Sequence, residues 1–276
     1  MASSYLNKDI YWEKLGNTLN LENKFYKLQI SLETGEIESI FDKEISQELL
    51  EQGTSLGALK VYSEEGTDVA ERSTPLEIDW KSVRREVTVD VEGGGLSSTI
   101  LIKRNLGFFN AQVEDNITLY RDIKRIDIDT TVFWGGSRSF QLRYVFPFRK
   151  DLSVINYGVP FYTVKYPETM DGVKGPWKSD EILSEDWQHI REVMNWIDLA
   201  NDNFGITLSS ISSSYYVNPG DLEAILFRTV RSCGDPNFYY NTEFKKRFDF
   251  KFRIISGLGD WKVRRAYQRG LELLNP

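Results

Sequence analysis

The feature that most constrains this chain is alternation with period two, which recurs along most of its length. From Lys24 to Leu32, Tyr26, Leu28, Ile30 and Leu32 occupy one face, and Phe25, Lys27, Gln29 and Ser31 the other. Successive side chains of a strand point to opposite sides of a sheet, so the first set is the expected core face. The turn signal Glu33-Thr34-Gly35-Glu36 and a second run, Ile37-Glu38-Ser39-Ile40-Phe41, complete the pattern of a hairpin. Further runs span residues 86–92, 97–104, 111–119, 125–133, 139–146, 202–209, 221–230 and 246–255, with Gly93-Gly94-Gly95 and Gly135-Gly136 between runs. β-branched and aromatic residues are enriched in these runs, as strands favour. Many strands joined by short turns predict an all-β chain, a large antiparallel sandwich or barrel.

Two segments depart from that pattern. In residues 179–196, Ile182, Leu183, Trp187, Ile190, Val193 and Met194 recur three or four apart behind a possible N-cap, Ser179. This predicts a short helix over residues 180–192, with a long surface loop as the alternative. A second helix is expected between Trp261 and Leu274, where Val263, Ala266, Tyr267, Gly270, Leu271 and Leu274 fall on one side.

Composition narrows the function. A net charge of −7 over 276 residues argues against nucleic acid or an anionic membrane as partner. Cys233 is the one cysteine, so no disulfide forms within the chain. No signal peptide and no apolar run of about 20 residues is visible, so a cytoplasmic location is expected.

Few residues suggest chemistry. His189 is the one histidine, too few for a zinc site or a mutarotase-like pair, and no Gly-x-Ser-x-Gly surrounds a serine. No metal site is expected. Gly93-Gly94-Gly95 lacks the Lys-Ser/Thr of a phosphate loop. Asp127 and Asp129 share a strand face about 6.5–7 Å apart, a spacing that overlaps an inverting glycosidase pair. Arg121, Lys124 and Arg125 stand nearby, so these carboxylates read as ionised and paired, and no catalytic residue is assigned. Tyr157, Phe161, Tyr162, Trp177 and Trp187 are the aromatics outside obvious core alternation that sugar rings could stack on.

Residues Leu21 to Leu50 resemble the first strands of the β half of family 38 α-mannosidases, with Thr34, Gly35, Ile37, Ser39, Ile40, Asp42 and Lys43 at the family's positions. Further segments resemble the family in the same order. They are Ile117–Asp122 with Arg125-Ile126-Asp127, Tyr157-Gly158-Val159-Pro160-Phe161, and Trp196–Leu199 with Phe204-Gly205-Ile206. Phe227–Ser232 with Asp235-Pro236, and then Gly259-Asp260-Trp261, complete the series. Tyr162 stands where the family has Gly, Ala200 where it has Ser, and the strand after Ala200 lacks the family's Leu-Asn.

The resemblance implies a supersandwich similar to galactose mutarotase folds over residues 21–276, after a lead-in segment or linker over 1–20. It implies a longer α-mannosidase whose catalytic domain precedes Met1 and holds a zinc ion and the nucleophile, and which continues past Pro276. This domain would be scaffold and pocket wall, with that catalytic domain and carbohydrate, a mannoside, as partners. Arg228, Arg231, Tyr157 and Asp198 are the expected rim residues, and an exposed apolar patch is expected where the catalytic domain would sit. The rival readings are a free-standing carbohydrate-binding module and a mutarotase-like sugar-binding protein.

Overall fold

The structure, a computed structural model, describes residues 4–6, 10–64, 73–75, 84–106, 110–135, 140–166, 189–211, 214–229 and 246–274. Among these, every strand pairing is antiparallel and the strands form three sheets. The first is a meander of β1 (Ser4–Leu6), β2 (Ile10–Leu15), β3 (Thr18–Asn23), β4 (Tyr26–Ser31), β5 (Ile37–Asp42) and β6 (Gln47–Glu48). Residues 10–20, read from sequence as lead-in or linker, are strands of this sheet and pair along its length.

The second sheet has nine strands. One half is β9 (Arg84–Gly94), β10 (Ser97–Leu106), β11 (Ala111–Tyr120) and β12 (Ile126–Trp134). β21 (Lys246–Leu258) joins it to β18 (Phe204–Ser210), β17 (Trp196–Ala200), β14 (Val154–Val159) and β15 (Tyr162–Tyr166). The third sheet runs β16 (Ile190–Glu192), β19 (Ser214–Asn218), β20 (Asp221–Arg228), β13 (Phe140–Phe146), β7 (Leu59–Glu64), β8 (Ser73–Pro75).

The predicted 180–192 helix needs correction: residues 180–188 lie outside the described residues, and Ile190–Glu192 is the edge strand β16 paired to β19. The C-terminal helix, α1, spans Ala266–Leu274.

One hydrophobic core joins all three sheets. Rings of the second and third sheets interlock, with Trp134 edge-on to Phe227 at 4.9 Å and Phe146 edge-on to Phe252 at 5.0 Å. The first sheet is pinned by polar contacts as well. Tyr26 Oη lies 3.1 Å from Ser256 Oγ, and Asn23 Nδ2 donates to the Tyr120 carbonyl at 2.7 Å. Gly35 closes the β4–β5 turn at φ +68°, and a Cβ there would lie 2.6 Å from Ile102 Cγ2. Only glycine fits both the left-handed backbone and the contact.

Candidate functional site

Leu142, Tyr144 and Phe146 face the core, so Gln141 and Arg143 point away from it on the opposite face of β13. Lys60 and Tyr62 of β7, Tyr216 of β19 and Glu223 of β20 stand on the same face, by the registers that join those strands. That face is polar and covered: Gln141, Arg143 and Glu223 have no exposed surface. Charges this deep need partners. Arg143 Nη1 donates to Glu223 Oε2 at 2.9 Å, and its Nε donates to Gln141 Oε1. Its guanidinium also stacks 3.9 Å from the Tyr62 ring and 5.4 Å from that of Tyr216. Glu223 further accepts from Lys60 Nζ and from Tyr62 Oη at 3.3 Å. Burial pulls the Lys60 ammonium down, but Glu223 and Asp221 outweigh it and hold the proton more tightly than in water.

Arg228 closes β20 directly opposite Gln141, which places it on this face. The next residue is fixed from both sides, because Phe140 N donates to Thr229 Oγ1 at 2.7 Å and Thr229 N to the Phe140 carbonyl at 2.7 Å. Arg231 lies outside the described residues, as do Trp177 and Trp187.

The network continues across to the second sheet. The His189 ring is 5.2 Å from that of Tyr216, and its Nδ1 lies 2.7 Å from Tyr166 Oη. Arg191 lies 5.4 Å from the Tyr166 ring and donates to the Ile190 carbonyl at 2.8 Å, and its charge acts on the Tyr157 phenol. Burial pushes the Tyr157 phenol up, and Arg191 only partly offsets it. A chain of contacts runs Arg191–Tyr166–His189–Tyr216–Arg143–Glu223. It ends at Glu223, on the strand that Arg228 closes.

Asp198 does not join this chain. Tyr157 pairs with Ile197 while Asp198 pairs with Asn156, so the two expected rim residues face opposite sides of the sheet. Asp198 has no exposed surface. It accepts from Thr207 Oγ1 at 2.6 Å, and from Arg264 through Nη2 at 2.5 Å and Nε at 3.2 Å. Burial pushes its carboxyl up to about 6, against the pull of Arg264 and Thr207. It anchors the segment leading into α1 instead of lining a rim.

Asp127 is likewise committed. It accepts from Tyr120 Oη at 2.8 Å and Arg253 Nε at 2.7 Å, and Arg125 Nε lies 3.1 Å away. Burial raises the Asp129 carboxyl. Of the three basic residues expected to pair with Asp127 and Asp129, only Arg125 does so. Arg121 pairs with Asp122, and Lys124 with Asp42 and Glu44. Among the described residues no group of three possible metal ligands comes together.

The profile of the "Glycosyl hydrolases family 38 C-terminal domain" matches residues 21–232. The chain belongs to family 38, as its C-terminal domain. None of the curated proteins matches it. Among solved structures, the family 38 domain is similar to a family 38 glycosyl hydrolase from Enterococcus faecalis, with 14% identity and a TM-score of 0.68, over 93% of this chain and 32% of that one. An α-mannosidase from Enterococcus faecalis V583 gives 14% identity and a TM-score of 0.68, over 100% of this chain and 38% of that one. The domain therefore spans about a third of those enzymes' length. A putative aldose 1-epimerase from Escherichia coli K12 shares the fold at 10% identity and a TM-score of 0.51, over 94% of this chain and all of that one. Among the described residues no helix is long and apolar enough to cross a membrane.

The residues missed from sequence are Arg143, Glu223, Arg191 and Arg264. Arg143 and Glu223 carried a signal: each is a charge inside an otherwise apolar run, FQLRYVF and DLEAILF. Arg191 and Arg264 carried none, because their partners are distant in sequence.

Proposed function

We propose that this domain is the non-catalytic wall of an α-mannosidase that hydrolyses terminal α-mannosides. On this reading, the rest of the polypeptide supplies the nucleophile, the general acid and the zinc ion, and Arg228 reaches the rim of its pocket. The observation that carries the reading is the family match over residues 21–232, which includes the strand that ends in Arg228. The buried Arg143–Glu223 pair between that strand and β13 supports it physically. Its bonds fix β13 against β20, and a rim residue gains precision from a rigid support. Tyr157 contributes from behind, through Arg191. With one cysteine in 276 residues, the chain suits a reducing compartment, and we place the enzyme in the cytoplasm; cell fractionation that recovers it from the medium would contradict this.

The test is Arg228→Met in the complete polypeptide. A rim contact made by a guanidinium predicts a loss in kcat/KM of about tenfold or more, since charged hydrogen bonds contribute about 1.5–3 kcal/mol. Equal kcat/KM in the two proteins would remove Arg228 from the rim.

A further inference from the structure

One group of exposed apolar residues, around the β14–β15 loop and α1, carries a strained residue. Val159 pairs with Tyr162, so Pro160-Phe161 is a two-residue hairpin loop. Phe161 has φ +65° and its side chain is wholly exposed. Proline followed by a positive φ is the pattern of a type II turn, whose second central position favours glycine. A bulky side chain there strains the backbone. The ring of Phe161 stands in solvent, so burial does not offset the strain.

The neighbourhood extends the surface. Met194 N donates to the Gly158 carbonyl at 2.7 Å, two residues before the loop. Asn195 abuts Gly270 of α1, where a Cβ would lie 3.1 Å from the Asn195 carbonyl oxygen. α1 buries Ala266, Gly270 and Leu273 against the sheet. It leaves Tyr267, Leu271 and Leu274 exposed beside that buried stripe, at i, i+4 and i+7. Tyr162 and Met194 are exposed as well. Tyr267, Leu271 and Leu274 continue the buried stripe around the helix, so its one apolar face is wider than the sheet covers.

We propose that Phe161, Tyr162, Met194, Tyr267, Leu271 and Leu274 form the docking surface for the remaining part of a family 38 polypeptide. The occupant follows from length: this domain spans 32% and 38% of the two Enterococcus enzymes, so about two thirds of such a chain has still to be placed against it. A contiguous exposed apolar patch is the mark of such an interface. The assignment rests on the function proposed above and adds to it the surface through which the two parts meet.

Two experiments test it. First, hydrogen exchange is compared between the 276-residue chain alone and the complete polypeptide. The expected result is protection of the amides of residues 161–163, 194–195 and 267–274 in the complete polypeptide by at least about tenfold, because a covered interface exchanges only when it opens. Protection confined to the Arg228 strand end would overturn the surface and leave the proposed function standing. No protection anywhere would defeat both. Slower exchange at these amides in the chain alone at rising concentration, with sedimentation as a dimer, would make a second copy the occupant and overturn the proposal. Second, Phe161→Gly is made in both proteins. A docking role predicts a higher melting temperature for the isolated domain, from relieved strain, and reduced protection across the patch in the complete polypeptide. A lower melting temperature in the isolated domain would show that Phe161 serves the fold, and would overturn its place in the surface.

Discussion

Replacing Arg264 with Met removes the cation that holds the C-terminal helix to the sheet. Arg264 meets both oxygens of Asp198 and donates to the carbonyls of Gly257 and Gly259. Asp198 has no exposed surface, so the variant leaves a carboxylate in a site with only Thr207 to bond it. Removing one partner of a buried pair costs about 3–5 kcal/mol. At about 2–4 °C per kcal/mol for a domain near this size, the melting temperature should fall by about 6–20 °C at pH 8.

The pH dependence sharpens the test. The Asp198 carboxyl lies at about 6 in the folded domain, above its value near 3.9 in an unfolded chain. A group raised on folding binds its proton more tightly in the native state, so its contribution is largest in acid and declines as pH rises from about 4 through 6. Loss of Arg264 raises the carboxyl further, so the variant recovers stability as Asp198 takes up a proton. Its deficit should therefore be smaller at pH 5 than at pH 8. Calorimetric melting of both proteins at the two pH values reads this directly. A deficit under about 2 °C at pH 8, or one equal at both pH values, would refute the argument that Asp198 and Arg264 depend on each other.

Other predictions rest on the same kind of contact. Gly205→Ala places a Cβ against the Arg264 guanidinium and 2.6 Å from the Leu199 carbonyl oxygen; overpacking of this kind costs about 1–3 kcal/mol, which urea titration would register, and an unchanged midpoint would count against it. Glu223→Gln leaves Arg143 buried without its counter-charge and should cost about 3–5 kcal/mol; a denaturation midpoint equal to wild type would mean that Lys60, Tyr62 and Arg143 do not depend on that carboxylate.

Local pattern carried the strands, because alternation is written residue by residue. Tyr26, Leu28 and Ile30 are buried as the period-two reading requires, and the runs at 97–104 and 111–119 became β10 and β11 with their apolar sets inward. Pattern failed where a partner distant in sequence decides. Ile190–Glu192 is a strand because it lies beside Tyr216 and Ser214, and three residues hold too little alternation to announce that. In α1 the apolar stripe was visible, but the sheet selects Ala266, Gly270 and Leu273 from it and its neighbours, leaving Tyr267 and Leu271 outward. Asp198 is expected at a rim from the family resemblance of its segment; its partner Arg264 stands 66 residues away, which no local pattern announces. Arg143 and Glu223, charges inside apolar runs, satisfy each other under cover, and only the pairing of β13 with β20 reveals it.

The central claim is that this domain is the silent part of a mannoside hydrolase, and turnover of p-nitrophenyl α-mannoside tests it most directly. Retaining hydrolysis requires a free nucleophilic carboxylate and an acid about 5–5.5 Å apart, and Asp127 is held by Tyr120 and Arg253. The account predicts no turnover above background by the 276-residue chain, with or without zinc, and measurable turnover by the complete polypeptide. Turnover by the isolated chain that the double change Asp127→Asn, Asp129→Asn abolishes would contradict it.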